Sequence, residues 1–104
     1  MPVVKRRFVV RTVDIDGEPF EEVTCGESHL RFKLRPVDPV VVVRGVELRW
    51  EAVIEVTGRR FHGYGTDKPT AFVAAREAAM TEGALAAPWD TFTPESRETD
   101  SLGS

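Results

Sequence analysis

The sequence predicts an α+β domain: a curved antiparallel sheet of five or six strands, one C-terminal helix packed on one face, and a disordered tail. Three observations carry that expectation. From Glu47 to Thr57, apolar Leu48, Trp50, Ala52, Ile54 and Val56 alternate with Glu47, Arg49, Glu51 and Glu55, the period of two that marks a half-buried strand. The dipeptides Asp16-Gly17 and Gly58-Arg59 divide β-patterned runs in the manner of two-residue hairpin turns. Asp67 to Glu82 instead sets Ala71, Ala75, Ala78 and Ala79 at helical spacing. The large side chains of the Leu48-to-Val56 face are worth ~1.5 to 3 kcal/mol each when fully buried, so that face must meet a core.

A chain of 104 residues has room for one domain, expected over residues 1–87 with an acidic flexible tail over 88–104. Residues 1–87 hold 13 basic and 13 acidic side chains, whereas 88–104 hold Arg97 against Asp90, Glu95, Glu98 and Asp100. The whole net charge of −3 therefore sits in the tail. A neutral domain lacks the broad positive field that drives nonspecific binding to phosphate backbones. Cys25 is the single cysteine, so no internal disulfide forms. The apolar run after the basic start Met1 to Arg7 is broken at Arg11, too soon for a signal peptide or a membrane span. A cytoplasmic protein is the expectation.

In chain order, Val3 to Val13 reads as a strand that turns at Asp16-Gly17. Pairing outward from the turn sets Arg11 opposite Glu22 on one face, and Phe8, Val10, Val23 and Cys25 together on the other, taken as the core side. His29 to Arg35 alternates Leu30, Phe32 and Leu34 with Arg31, Lys33 and Arg35. Its basic face suits either an anion or pairing with the acidic side chains Glu47, Glu51 and Glu55 of a neighbouring strand. Pro36 and Pro39 impose an extended bend. Val40 to Val43 then forms either a separate strand turning at Arg44-Gly45 or a kinked continuation of the Glu47 strand, with the hairpin preferred. An unbroken valine run calls for burial on both faces or cover by a partner.

Gly58-Arg59 as a type II′ turn sets Val56 opposite Phe61, Glu55 opposite His62 and Ile54 opposite Gly63. The core face of the short strand is then Phe61, Gly63 and Gly65, and two bare positions there imply a close neighbour, expected to be the helix. Asp67 is a good N-cap, Pro69 fits the first turn, and Gly83 stops the helix. Val73 and Met80 lie on a second helix face, as core flank or as a dimer contact. Trp89 and Phe92 interrupt the polar tail, either docked on the domain or held out for a partner.

Gly63, Gly65, Asp67, Lys68, Ala71, Ala75 and Ala79 resemble in spacing the last strand and second helix of double-stranded RNA-binding domains. The stretch is also similar to the regulatory module of 2-isopropylmalate synthases. The first resemblance implies phosphate contacts by lysines around the helix start. Lys68 matches one of them, whereas Pro69 and Phe72 occupy the places of two others, and the segment ahead of the strands is β-patterned where the family has a helix. Strand-strand-helix packing is what carries over.

Motifs for chemistry are sparse. Gly63 and Gly65 lack the rest of a phosphate-binding loop. Cys25, His29 and His62 lack paired metal-ligand spacing, and Ser28 beside His29 has no acidic partner placed by spacing. Glu51, Glu55 and His62 on one wet face form the one acid/base cluster worth testing. The expectation is a non-catalytic interaction or regulatory module without cofactor or metal, acting by homodimerisation or on an unknown protein partner. Its candidate contacts are Val41, Val43, Val73, Met80, Trp89 and Phe92. The alternative is a nucleic-acid binder using Arg31, Lys33, Arg35 and Lys68, with Lys5, Arg7, Arg11, Arg59 and Arg60 in support.

Overall fold

The computed structural model describes residues 8–87 and 89–94. The expected tail beyond 94 and the basic residues Lys5 and Arg7 lie outside them. Five strands, β1 (Val9–Ile15), β2 (Glu18–Cys25), β3 (Ser28–Val43), β4 (Val46–Val56) and β5 (Arg59–Gly65), precede helix α1 (Lys68–Thr81) and a 3₁₀ turn at Trp89–Thr91. The strands form one antiparallel sheet in the order β1-β2-β3-β4-β5. This meander follows from the connections, because each link of two residues leaves a strand no neighbour to pair with except the one before it.

Three of those turns carry positive φ at both central residues: Asp16 and Gly17, Arg44 and Gly45, Thr57 and Gly58. That is the signature of type I′, whose twist matches the twist of the flanking strands. The β1-β2 register is the expected one, with Arg11 opposite Glu22 and Val10 opposite Val23. The last hairpin corrects the sequence reading. Its turn is Thr57-Gly58, so Ile54 faces Phe61, Val53 faces His62 and Ala52 faces Gly63. Glycine takes the second central place of a I′ turn here, not the first of a II′ turn. The register moves by two residues, and every side chain stays on the face expected for it.

On one face α1 lies directly against β5. A Cβ at Gly63 would stand 2.5 Å from the Ala71 carbonyl oxygen and closer still to the Ala75 nitrogen, and one at Gly65 would stand 2.6 Å from the Ala71 nitrogen. Ala71, Ala75 and Ala79 are fully buried in that contact. The helix ends fall where the sequence puts them. Asp67 accepts from the Thr70 amide at 2.9 Å, and Gly83 adopts left-handed φ while the Ala84 amide donates to the Ala79 carbonyl at 2.9 Å.

The rest of this face is closed by the chain after the helix. Of the two fates open to Trp89 and Phe92, docking and display to a partner, the structure shows docking: they are 3% and 0% exposed. Phe92 meets Phe72, Phe32 and Phe8 at centroid distances of 5.6, 6.2 and 4.9 Å, and Arg76 Nη1 donates to the Phe92 carbonyl at 2.8 Å. The packed domain therefore reaches past residue 87, the boundary expected from composition. Among the described residues no helix is long and apolar enough to cross a membrane.

Candidate interaction surface

The face opposite α1 is a layer of ion pairs over a small apolar patch. Glu22 accepts from Arg11 Nε at 2.8 Å and from Arg31 Nε at 3.0 Å. Arg31 also reaches Glu55 at 3.3 Å, and Arg60 reaches the other oxygen of Glu55 at 3.3 Å. Lys33 pairs with Glu18, and Arg35 with Glu51. Beneath these heads lie Phe20 and Val53, each 1% exposed. The Lys33 ammonium and the Arg60 guanidinium stand over the Phe20 ring at 5.1 and 5.4 Å from its centroid, a cation–π arrangement. Reading Glu47 to Glu55 as a wet face passes over Val53, and Val53 together with Phe20, which shares the Glu22 face of β2, is the signal for this patch.

Such contacts favour the ionised forms of Glu22 and Glu51. Hydrogen bonds from Arg11 and then Arg31 hold the Glu22 carboxyl below its ordinary range. Burial pushes Glu51 up, but hydrogen bonds from Arg35, Tyr64 and His62 outweigh it and leave the carboxyl lowered. The Tyr64 hydroxyl donates to Glu51 at 2.8 Å, which raises the phenol. His62 Nδ1 lies 3.1 Å from the same oxygen. The structure thus joins Glu51 to His62, and Glu55 goes elsewhere, to Arg31 and Arg60; the expected Glu55–His62 pair is not formed.

Three of the four candidate nucleic-acid contacts, Arg31, Lys33 and Arg35, are thus paired with carboxylates, and the Lys68 ammonium stands 4.8 Å from the Trp50 ring centroid. Among the described residues no group of His, Cys, Asp or Glu is arranged to hold a metal ion. Ser28 and His29 line an open cleft of about 360 Å³ with Val56, Leu85 and Trp89, and no hydrogen bond joins the two.

The unsatisfied surface lies elsewhere. The preferred hairpin forms, with Val43 paired to Val46 across the Arg44-Gly45 turn, so Val40 to Val43 does not continue β4, but it is not a separate strand either. It is the far end of β3, which runs unbroken through Pro36 and Pro39 to the Arg44-Gly45 turn. The expected bend is a bulge, where Val37, Asp38, Pro39 and Val40 face Arg49 alone between the pairs Pro36–Trp50 and Val41–Leu48. β2 pairs with β3 only as far as Phe32. From there β5 still flanks β4 as far as the Trp50–Gly65 pair, and past Pro36 and Trp50 β3 and β4 continue as a two-stranded arm; the molecule measures 49 Å along its longest axis against 30 and 29 Å across.

The arm is apolar and exposed. Val41, Val42 and Val43 are 47, 61 and 48% exposed, and Val40 and Val46 are similarly open. Strand alternation and register put Val41, Val43, Val46 and Leu48 on the α1 side of the sheet in line with Trp50, while Val40 and Val42 share the other side with Glu47 and Arg49. The two edges differ. Thr66 Oγ1 caps the Glu47 carbonyl at 3.0 Å on the β4 side, whereas the β3 edge has no strand beside it among the described residues. Of the remaining candidate contacts, Val73 and Met80 are half-buried on α1, with Met80 packed against the core.

No protein-family model, curated protein or solved structure matches this chain.

Proposed function

We propose that the protein is a non-catalytic interaction module whose binding element is the β3–β4 arm, engaged through its open β3 edge. One observation carries this reading: four consecutive valines, Val40 to Val43, stand about half or more exposed on a strand edge that no strand among the described residues covers. A two-stranded ribbon is marginal in water by itself, and a flat, apolar, unpaired edge is a template for another chain. Strand addition meets both needs, because backbone hydrogen bonds supply affinity and side-chain alternation supplies register.

The outer face supports the same conclusion by elimination. A carboxylate that accepts from Arg35, Tyr64 and His62 and is held below its ordinary range is a poor proton acceptor, which disfavours acid/base work at Glu51. Arg31, Lys33 and Arg35 are occupied by Glu22, Glu55, Glu18 and Glu51, so a phosphate would have to displace protein carboxylates. Nucleic acid is the weaker reading on that ground.

A photo-crosslinking amino acid at position 42, in the chain expressed in its native cell, tests the proposal. Adducts of discrete mass are expected at position 42 and not at Asp14 on the β1 edge. Crosslinking at neither position overturns it.

A further inference from the structure

We infer that the cleft at the turn end of the sheet is a binding site for a primary ammonium group carried on an alkyl chain. The site stands apart from the arm, because it lies at Ser28 and Val56, the opposite end of β3 and β4 from Val43 and Val46. Its walls come from the β2–β3 turn, the β4–β5 turn and the segment that follows α1.

Charge decides the sign of the ligand. Among the described residues that line the cleft, Glu27 carries the one fixed charge, and it is exposed with no ion-pair partner among the described residues. Gly83 brings the C-terminal end of α1 to the same wall, a partial negative charge that no basic residue in the last turn offsets. Arg59 stands at this end of the sheet too, but Glu82 holds it at 3.2 Å and it does not line the cleft. An anion would meet repulsion from both Glu27 and α1.

The polar groups of the cleft call for a donor. Thr57 Oγ1 donates to the Val56 carbonyl at 2.7 Å, so the capacity it has left is to accept. The Glu27 carboxylate accepts only, and a neutral His29 imidazole and the Ser28 hydroxyl each add an acceptor to the same lining. An ammonium, all donor and no acceptor, complements that set. The rest of the wall is apolar, with Val56, Leu85 and Trp89 among its residues. An alkyl stem lies along such a surface while its charged head stays at the rim. The cleft, about 360 Å³, has room for a short chain of this kind.

Amide NMR spectra of the full chain, titrated with n-butylammonium, n-butanol and butyrate, test the site. The ammonium should give saturable shifts at Glu27, Ser28, Gly83 and Leu85 and leave Phe20 and Val53, on the far side of the sheet, unmoved. The alcohol should bind roughly threefold more weakly, and butyrate not at all. Glu27→Gln, a change at an exposed turn position, should weaken the ammonium by a similar factor and leave the alcohol as it was. Cadaverine and N-acetyl-lysine amide then separate a free amine from the lysine side chain of a protein, and tighter binding of either one supports the site and assigns its source. Butanol or butyrate matching the ammonium, an ammonium affinity indifferent to Glu27→Gln, or no saturable shift with any probe overturns the inference.

Discussion

Gly63 of β5 lies so close under Ala75 of α1 that no side chain fits between them. The helix rests on backbone at this point, and its place over the sheet depends on an atom that glycine lacks. Gly63→Ala must push α1 off β5 or distort the strand, and overpacking of this kind typically costs ~1 to 3 kcal/mol. Thermal melting should show the loss, and Val42→Ala on the arm serves as the control with an unchanged midpoint.

Phe92→Ala should destabilise the domain by ~3 to 5 kcal/mol, the usual cost of removing a buried aromatic ring. Phe92 is fully buried among Phe8, Phe32 and Phe72. Denaturant unfolding of this variant measures the effect. A value near zero would mean that the segment after the helix is not part of the packed domain.

Phe20→Ala should be about as damaging, although Phe20 lies on the charged side of the sheet. It is 1% exposed beneath Lys33 and Arg60, so truncation empties a small second core and leaves two cations over a cavity. A surface phenylalanine would change stability by less than ~0.5 kcal/mol.

Acid should destabilise the protein through Glu22 and Glu51. Both carboxyls are lowered in the folded state: Glu22 by hydrogen bonds from Arg11 and then Arg31, Glu51 by hydrogen bonds that outweigh its burial. The unfolded chain therefore binds more protons at these sites. Their contribution is complete above the unfolded carboxylate value of about 4.3 and is lost as pH falls through the lower folded values. Melting midpoints measured between neutral pH and pH 2 should fall over that range. Glu51→Gln should lower the midpoint at neutral pH and flatten the acid decline.

Most of the framework was legible because local signals agreed with tertiary ones. Alternation from Leu48 to Val56, the Asp16-Gly17 turn, the Asp67 cap and the bare positions Gly63 and Gly65 each had one physical reading, and the structure contains all of them. Thr57-Gly58-Arg59 was ambiguous because a glycine can serve as the second residue of a I′ turn or the first of a II′ turn, and both keep the same face inward. The continuity of β3 through two prolines was hidden for a different reason. Prolines on an unpaired edge break no ladder, so their presence does not mark a strand end. The arm was legible as an unexplained valine run, but its exposure depends on where β2 stops pairing, which is a property of the sheet and not of the run. The Phe20–Val53 patch was obscured because charged side chains cover it, and alternation counts those as solvent-facing.

Amide hydrogen exchange at Val42, in the purified chain and in lysate of its native cell, is the most direct test of the claim that the β3 edge of the arm is a pairing surface. The account predicts fast exchange at the Val42 amide in the purified chain when dilute and its protection in lysate, with Phe32 and Ile54 unchanged. Equally fast exchange of Val42 in both contradicts it.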